Sequence, residues 1–209
     1  MKKILYILIF PFVFSVGSYA QNTIDLSGKW MVQLDKKRQG IQKDGNWLPI
    51  SLPGSLTEAK IGKKTSGSDF GILTQTYKYL GVAWYQKEIE IPKSWKNKIL
   101  TVFLERVLWE SRIFIDGKEI NIQDALGTPH IHLLGIIKPG KHTLAVRVDN
   151  DMIHNIGDKG HAYGEYTQSI WNGIVGRMEM QARDLTHFTS VRTFPDLDND
   201  QLKVTFEIE

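Results

Sequence analysis

The sequence predicts an all-β protein, an antiparallel β-sandwich of the jelly-roll kind. Apolar and polar residues alternate with period two, for example at Trp30, Val32 and Leu34 and again across 144–148. This alternation is typical of strands that bury one face. No window of the sequence carries a sustained helical stripe, so the pattern favours a sandwich or barrel over a mixed fold.

Turn signals separate the predicted strands. Asp116-Gly117 lies between two short apolar segments, and both residues tolerate the positive φ angles that a type I′ hairpin turn requires. Pro139-Gly140-Lys141 predicts a second turn before the next strand. The polar segments 35–47 and 57–76 are predicted to be loops or short irregular pieces.

The chain is predicted to change domain near residue 184. The segment 177–182 ends the first alternating module, and 186–193 and 202–208 form two further predicted strands around a turn rich in Asp. Two strands alone are marginally stable because they cannot bury both faces of a sheet. We therefore expect a sandwich over residues 21–184, the beginning of a second sandwich over 185–209, and a longer parent polypeptide.

The N-terminus has the pattern of a secretory signal peptide over residues 1–20. Two lysines precede an apolar run, and Ser18-Tyr19-Ala20 is a cleavage site that predicts a mature chain beginning at Gln21. The run is shorter than the roughly 20 apolar residues of a membrane-spanning helix. We expect export to the periplasm or the outside of the cell, with no membrane contact after cleavage and, since there is no Cys, no disulfide.

The charge of the chain argues against polyanionic partners. Removing Lys2 and Lys3 changes the balance from 26 basic and 23 acidic residues to 24 and 23, a formal charge of +1. The most prominent basic run is Lys36-Lys37-Arg38, interpreted as a solvated turn. Nucleic acids and anionic membranes require a concentrated basic face, so neither is expected as a partner.

The polar loop from Asp151 to Gln168, with the residues that flank it, is the candidate ligand site. It carries three glycines among Asp, His, Tyr and Asn side chains, a composition suited to hydrogen-bonding a carbohydrate. The predicted substrate-binding residues are Asn150, Asp151, Asp158, His161, Tyr163, Glu165, Trp171 and Asn172. Two alternatives stay open at this stage, Trp171 as a core or interdomain plug and Asn172-Gly173 as a turn.

The remaining titratable residues predict no catalytic or metal site. His130 and His132 share one strand face, but no third ligand accompanies them in the sequence. Retaining glycoside hydrolysis needs two carboxyl groups about 5 Å apart, and no such pair stands out among the Asp and Glu residues. We therefore expect neither a cofactor nor a metal, and no catalytic residue in this chain.

Seven sequence blocks in order resemble the N-terminal sugar-binding domain of glycoside hydrolase family 2, which includes β-galactosidases, β-glucuronidases and β-mannosidases. The resemblance covers about Leu26 to Asp184. The blocks are Leu26–Trp30, Leu52–Ser55, Gly81–Lys87, Phe103–Val107, Ile115–Lys118, Lys138–Asn150 and Trp171–Arg177. The turn at Asp196–Asn199 is similar to the start of the immunoglobulin-like domain that follows in that family.

The resemblance implies a galactose-binding-domain-like jelly roll, followed by the first strands of an immunoglobulin-like sandwich. The family places its two catalytic Glu residues in a TIM barrel, which no part of this chain matches. By this resemblance the parent is a secreted β-galactosidase-like enzyme that hydrolyses O-glycosidic bonds. The present chain would be inactive alone, bind carbohydrate, and pack beside the barrel to lend a loop to the active-site rim.

A second class of function also fits the sequence. A stand-alone carbohydrate-binding module, or a sandwich that adheres to glycans, would bind a sugar without cutting it. Such a module needs an exposed aromatic platform, whereas an accessory domain needs an apolar flank for its barrel. Most Trp and Tyr residues fall at inward strand positions, which favours the accessory domain.

Overall fold

The computed structural model describes residues 22–42, 44–66, 73–157 and 160–208, and the described chain is all-β, as predicted. The predicted signal peptide and Asp158 lie outside the described residues. One 3-10 turn, Lys93–Trp95, interrupts the strands, and no helix within the described ranges is long and apolar enough to cross a membrane. The strands are β1 Thr23–Asp25, β2 Gly28–Asp35, β3 Leu48–Leu52, β4 Gly54–Ser55, β5 Lys63–Lys64, β6 Tyr77–Lys78, β7 Val82–Ile91, β8 Ile99–Arg106, β9 Glu110–Ile115, β10 Lys118–Gln123, β11 His130–Gly135, β12 Gly140–Asp149, β13 Gly173–Arg183, β14 Phe188–Asp196 and β15 Gln201–Ile208.

Two antiparallel sheets form the sandwich. One has six strands in the order β10-β9-β12-β7-β2-β3, and the other has the order β1-β13-β8-β11 with β4 beside β13. Neighbours in the sheets are mostly distant in sequence, as β12 pairs with β7 and β13 pairs with β8. The chain therefore passes repeatedly from one sheet to the other, as it does in a jelly roll.

The core lies between the two sheets and follows the predicted alternation. On β12 the residues that join the apolar core are Leu144, Val146 and Val148, and on the opposite sheet β13 contributes Met178 and Met180. Burying each such side chain stabilises the fold by about 1.5–3 kcal/mol. With no disulfide available, this apolar layer is the main source of stability.

The hairpin between β9 and β10 confirms the turn predicted from Asp116-Gly117. Asp116 has a φ of +51° and Gly117 a φ of +82°, as a type I′ turn demands, and Lys118 pairs with Ile115. The Asp116 carboxylate also accepts a hydrogen bond from the backbone N–H of Thr143 at 2.8 Å. The turn is thereby anchored to the neighbouring strand β12.

Strands β14 and β15 form a separate two-stranded sheet after β13 ends at Arg183. Val191 pairs with Phe206 and Pro195 with Leu202, so these residues share one face. The face is open, since 58% of Phe206 is exposed to solvent. The assignment of 185–209 to the start of an immunoglobulin-like domain stays a prediction, and an apolar face that awaits a covering sheet is consistent with it.

Gly173, the first residue of β13, lies against the backbone of β4. A Cβ at this position would come within 2.4 Å of the Gly54 carbonyl oxygen and 2.7 Å of the Ser55 Cα, so Gly173→Ala is expected to disrupt the β4–β13 pairing. We expect a loss of about 3 kcal/mol in the free energy of unfolding. Urea titration followed by circular dichroism measures it.

The matched control is Gly127→Ala, because a Cβ there meets nothing within 4 Å. Equal stability of the Gly173→Ala and Gly127→Ala proteins would contradict the close approach of the two strands.

Candidate functional site

The long loop between β12 and β13, residues 150–172, has a small apolar cluster of its own. Tyr163 is buried against Trp109 with ring centroids 5.0 Å apart, and Leu108 completes the buried part of the cluster. Ile170 and Trp171 pack against these residues at the end of the loop. The loop is thus folded onto the sandwich through apolar contacts as well as through its two ends.

Two buried asparagines join the ends of this loop. The Asn150 Oδ1 accepts hydrogen bonds from the Gly81 N–H at 2.9 Å and from the Asn172 Nδ2 at 3.2 Å. The Asn172 Oδ1 accepts from the Tyr85 hydroxyl at 2.7 Å, and its Nδ2 also donates to the Gly81 carbonyl at 3.0 Å. Both asparagines are buried, and burial raises the pKa of Tyr85 well above its usual range. Their amides therefore support the loop from inside the protein.

Removing one of these amides is expected to destabilise the whole domain. In Asn172→Ala the fully buried Tyr85 hydroxyl loses its hydrogen-bond acceptor, and the Gly81 carbonyl oxygen loses the amide that donates to it. A buried polar group without a partner costs about 1–3 kcal/mol, so we expect a loss of about 3 kcal/mol for the set. The free energy of unfolding in urea measures it.

Asn155→Ala, in the exposed part of the same loop, is the matched control. If both variants lost the same small amount of stability, the buried network would not hold the loop.

An ion network lies at the first end of the loop. The Asp149 carboxylate is almost fully buried and pairs with Arg147 at 3.1 Å, and Arg38 pairs with both Asp149 and Asp151. Hydrogen bonding to Asp149 raises the pKa of Arg38. Residues 36–37 form a turn and all three residues of 36–38 are exposed, as the interpretation of a solvated turn expects. The Arg38 side chain stays 47% exposed while its guanidinium reaches the buried Asp149 carboxylate.

The predicted sugar-binding residues fall into three groups. Asn150, Asn172 and Tyr163 are buried; the Tyr163 hydroxyl donates to the Asn150 carbonyl at 2.9 Å, and burial raises the pKa of Tyr163 to about 12. Asp151 and Glu165 are half-buried in ion pairs with Arg38 and Lys78. His161 is exposed and Trp171 half-buried. Sugar contact by the accessible members of this set stays a prediction.

Trp171 lines a cleft of about 400 Å³ at this end of the sandwich. The end of β8, the segment before β11 and the long loop enclose the cleft. Its lining residues are Glu105, Arg106, Val107, Leu108, Leu126, Gly127, Thr128, Pro129, Ala162, Gln168 and Trp171. An indole face beside guanidinium, carboxylate, amide and hydroxyl groups can stack on a pyranose ring and hydrogen-bond its hydroxyls.

The cleft supplies binding groups and, among its described lining residues, one carboxylate, that of Glu105. This carboxylate accepts a hydrogen bond from the Arg177 N–H at 2.7 Å. Glycoside hydrolysis by the two-carboxylate mechanism needs a second acid within about 5–10 Å. The described cleft can therefore hold a sugar, but it lacks this pair.

Sequence reasoning missed Glu105, Arg106 and Thr128 as candidate site residues. They come from two segments that precede the long loop by more than twenty residues, and nothing in their local pattern marks a ligand. Glu105 and Arg106 did belong to the block Phe103–Val107 of the family resemblance. That block was the available signal.

A buried Ser-His network supports the wall of the cleft. The Ser111 hydroxyl lies 2.6 Å from the His130 Nδ1 and 2.8 Å from the His132 Nε2, and all three side chains are fully buried. The His130 Nε2 lies 2.8 Å from the Ala125 carbonyl, in the segment that leads to the cleft. No group of three potential ligands suited to a metal ion occurs among the described residues.

Acid is expected to weaken the fold through this network. Burial, and next the charge of His130, lowers the pKa of His132 from 6.5 to about 3. Between these values the unfolded chain binds a proton that the folded chain does not, so stability falls as the pH drops from 6.5 toward 3. For His132 alone the slope is about 1.4 kcal/mol per pH unit.

His132→Asn is expected to be less stable at pH 7, since it loses a buried hydrogen bond, but to show a shallower decline between pH 6 and 4. Unfolding free energies from urea titrations at each pH measure the slope. His161→Gln, at an exposed position, is the control. A decline as steep in His132→Asn as in the parent chain would contradict the assignment.

No family model matches this chain. A curated protein of Formosa agariphila with the name "Putative beta-glucuronidase" is 24% identical over 176 residues, which cover 78% of this chain and 19% of that protein. Solved structures of the Ruminococcus gnavus β-glucuronidase cover 90% of this chain. The complex with uronic isofagomine has a TM-score of 0.66 at 15% identity over 33% of its chain, and the complex with D-glucuronic acid 0.67 at 17% over 34%.

The fold is that of the N-terminal part of β-glucuronidases. The resemblance to glycoside hydrolase family 2 inferred from the seven sequence blocks is thereby confirmed, since both kinds of comparison lead to β-glucuronidases. The chain spans about a fifth of the length of the curated relative and about a third of the solved chains.

Proposed function

We propose that this chain is the N-terminal carbohydrate-binding part of an exported glycoside hydrolase of family 2, an enzyme that hydrolyses O-glycosidic bonds. The observation that carries the proposal is the cleft beside Trp171, on a fold shared with β-glucuronidases. The names of the relatives favour a β-glucuronide substrate over the β-galactoside that the sequence first suggested.

Each part of the cleft has a physical role in this proposal. Trp171 offers its ring to the apolar face of a sugar, while Gln168 and Arg106 reach hydroxyl or carboxylate oxygens. The buried amides of Asn150 and Asn172 hold the loop so that little order has to be gained on binding. Binding energy gained here can be used in the transition state of the reaction.

The catalytic pair is assigned to another part of the parent polypeptide. The described cleft contains Glu105 as its carboxylate, and the family resemblance implies that two Glu residues come from a TIM barrel. In this arrangement the cleft contributes substrate contacts at the rim of the active site. The role in catalysis is therefore indirect.

An apolar flank favours an accessory domain over a stand-alone carbohydrate-binding module or adhesion sandwich. Ile131 and Leu133 are 52% and 56% exposed on β11, the edge strand of the five-stranded sheet. Exposed apolar side chains on the outer face of an edge strand favour burial against another domain. A free module has no use for such a flank.

Export remains part of the proposal. The pattern over residues 1–20 supports a signal peptide, and the mature chain would then act in the periplasm or outside the cell. The composition without Cys is compatible with either location.

Binding of D-glucuronic acid by the mature chain tests the proposed role. We expect weak binding, with Trp171→Ala reducing the affinity at least about tenfold because the stacking face is lost. Tyr166→Ala is the matched control, since this aromatic of the same loop is 73% exposed and does not line the cleft. Titration followed by NMR chemical shifts measures both affinities.

Two outcomes would overturn the proposal. One is equal affinity in Trp171→Ala and Tyr166→Ala, which would place the sugar elsewhere. The other is turnover of nitrophenyl glycosides by the mature chain alone, which would show that its own carboxylates are catalytic.

A further inference from the structure

A second concavity, distinct from the cleft, is lined by lysines. It is a groove of about 840 Å³ beside β2, β3 and the β5–β6 ribbon. Five lysines line it together with an apolar floor. The lysines are Lys36, Lys60, Lys63, Lys64 and Lys78, and the floor consists of Leu34, Leu48, Tyr79 and Leu80.

The groove is strongly positive in an almost neutral protein. No Asp or Glu belongs to its described lining, and Glu165 of the long loop pairs with Lys78 at its margin. Five positive charges less this one negative charge leave +4, compared with +1 for the whole mature chain. The nearby Asp35 is buried and accepts hydrogen bonds from Gln39 and Gly40. A concave surface of one charge sign attracts ligands of the opposite sign.

The ribbon holds two of these lysines opposite each other. Lys63 and Lys78 are register partners in the β5–β6 pair, and like charges directly opposite on a sheet destabilise it. Gly62 lets the two strands of the ribbon lie close together, because a Cβ there would come within 2.8 Å of the Lys78 carbonyl oxygen. The Thr65 hydroxyl closes the other end by donating to the Gln75 carbonyl at 2.6 Å. Because Glu165 offsets the charge of Lys78, an anion is expected beside Lys63 and the other lysines of the groove.

We propose that this groove binds an acidic glycan, an oligosaccharide that carries carboxylate or sulfate groups. Lysine ammonium groups act as point charges for either anion. Tyr79 and the leucines provide apolar surface for the C–H faces of sugar rings, and the volume lies within the usual range for ligand sites. Double-stranded nucleic acid is a poorer fit, because it needs many phosphate contacts along an extended basic face, whereas this groove offers five lysines.

Lys78 of the groove meets Glu165 of the loop that carries the cleft. A small depression that contains both residues also includes Ile170, next to Trp171 of the cleft. A glycan that leaves the groove past Lys78 meets the loop that carries the cleft. The groove would therefore anchor an acidic polymer near the loop that carries the cleft. This placement rests on the proposed function, whereas glycan binding by the groove itself does not.

Isothermal titration of the mature chain tests this site. The probes are an oligogalacturonate hexamer, a heparin-derived hexasaccharide, neutral cellohexaose and a single-stranded DNA hexamer. We expect at least one acidic oligosaccharide to bind at least about tenfold more tightly than cellohexaose or DNA. Its affinity should fall as salt rises, because screening weakens contacts between exposed charges. Binding of one acidic probe or of both supports the site. Binding of the oligogalacturonate shows that carboxylates suffice, and binding of the heparin fragment alone shows that sulfate is needed.

Paired variants locate the binding. Lys63→Gln combined with Lys64→Gln is expected to lower the affinity for the acidic probe at least about tenfold. The matched control combines Lys118→Gln with Lys141→Gln, exposed lysines that do not line the groove, and should stay within about twofold. Far-UV circular dichroism checks that both double variants are folded.

Several results would overturn the proposal that the groove binds an acidic glycan. These are no binding of either acidic probe, tighter binding of DNA, or equal losses in the two double variants. Trp171→Ala separates the two sites: acidic-oligosaccharide binding that survives in this variant but is lost in the Lys63→Gln, Lys64→Gln variant belongs to the groove. If Trp171→Ala abolished that binding while the groove variant did not, the acidic glycan would bind in the cleft and not in the groove.

Discussion

The pair of buried asparagines at the base of the long loop is the constraint on which the candidate site depends. A loop of about twenty residues has a large conformational entropy that must be overcome before it can present a rigid surface. Asn150 and Asn172 offset this entropy at the two ends of the loop, where their amides form hydrogen bonds with each other and with the backbone of Gly81. The apolar cluster around Trp109 and Tyr163 then holds the middle.

Other buried polar groups of the sandwich are also satisfied by hydrogen bonds or ion pairs. Ser111 lies between His130 and His132, and Asp149 lies between Arg147 and Arg38, in each case at a position where a lone polar group would be costly. These networks stand beside segments that shape the cleft and the loop. Stability and the geometry of the site are thus coupled, and a change made for one alters the other.

The strands of the sandwich were predictable because period-two alternation reports directly which face of a strand is buried. The hairpin at Asp116-Gly117 was equally local, since its φ angles follow from the two residue types. The ligand-binding residues were harder to predict from the sequence. A polar residue after a strand has the same appearance in sequence whether it meets a sugar or the protein, and Tyr163 turned out to be buried. The lysines of the groove are scattered from 36 to 78, so a search for basic runs could not find them.

The sequence by itself determined the all-β class, the main strands and turns, and the resemblance to glycoside hydrolase family 2, because these depend on local patterns and on the order of motifs. Only the tertiary structure decided which polar side chains are buried and which line the cleft or the groove. Burial and charge clustering arise from strand pairings between distant residues, such as β12 with β7 and β13 with β8. No local pattern carries that information, since it is created when the sheets close on each other.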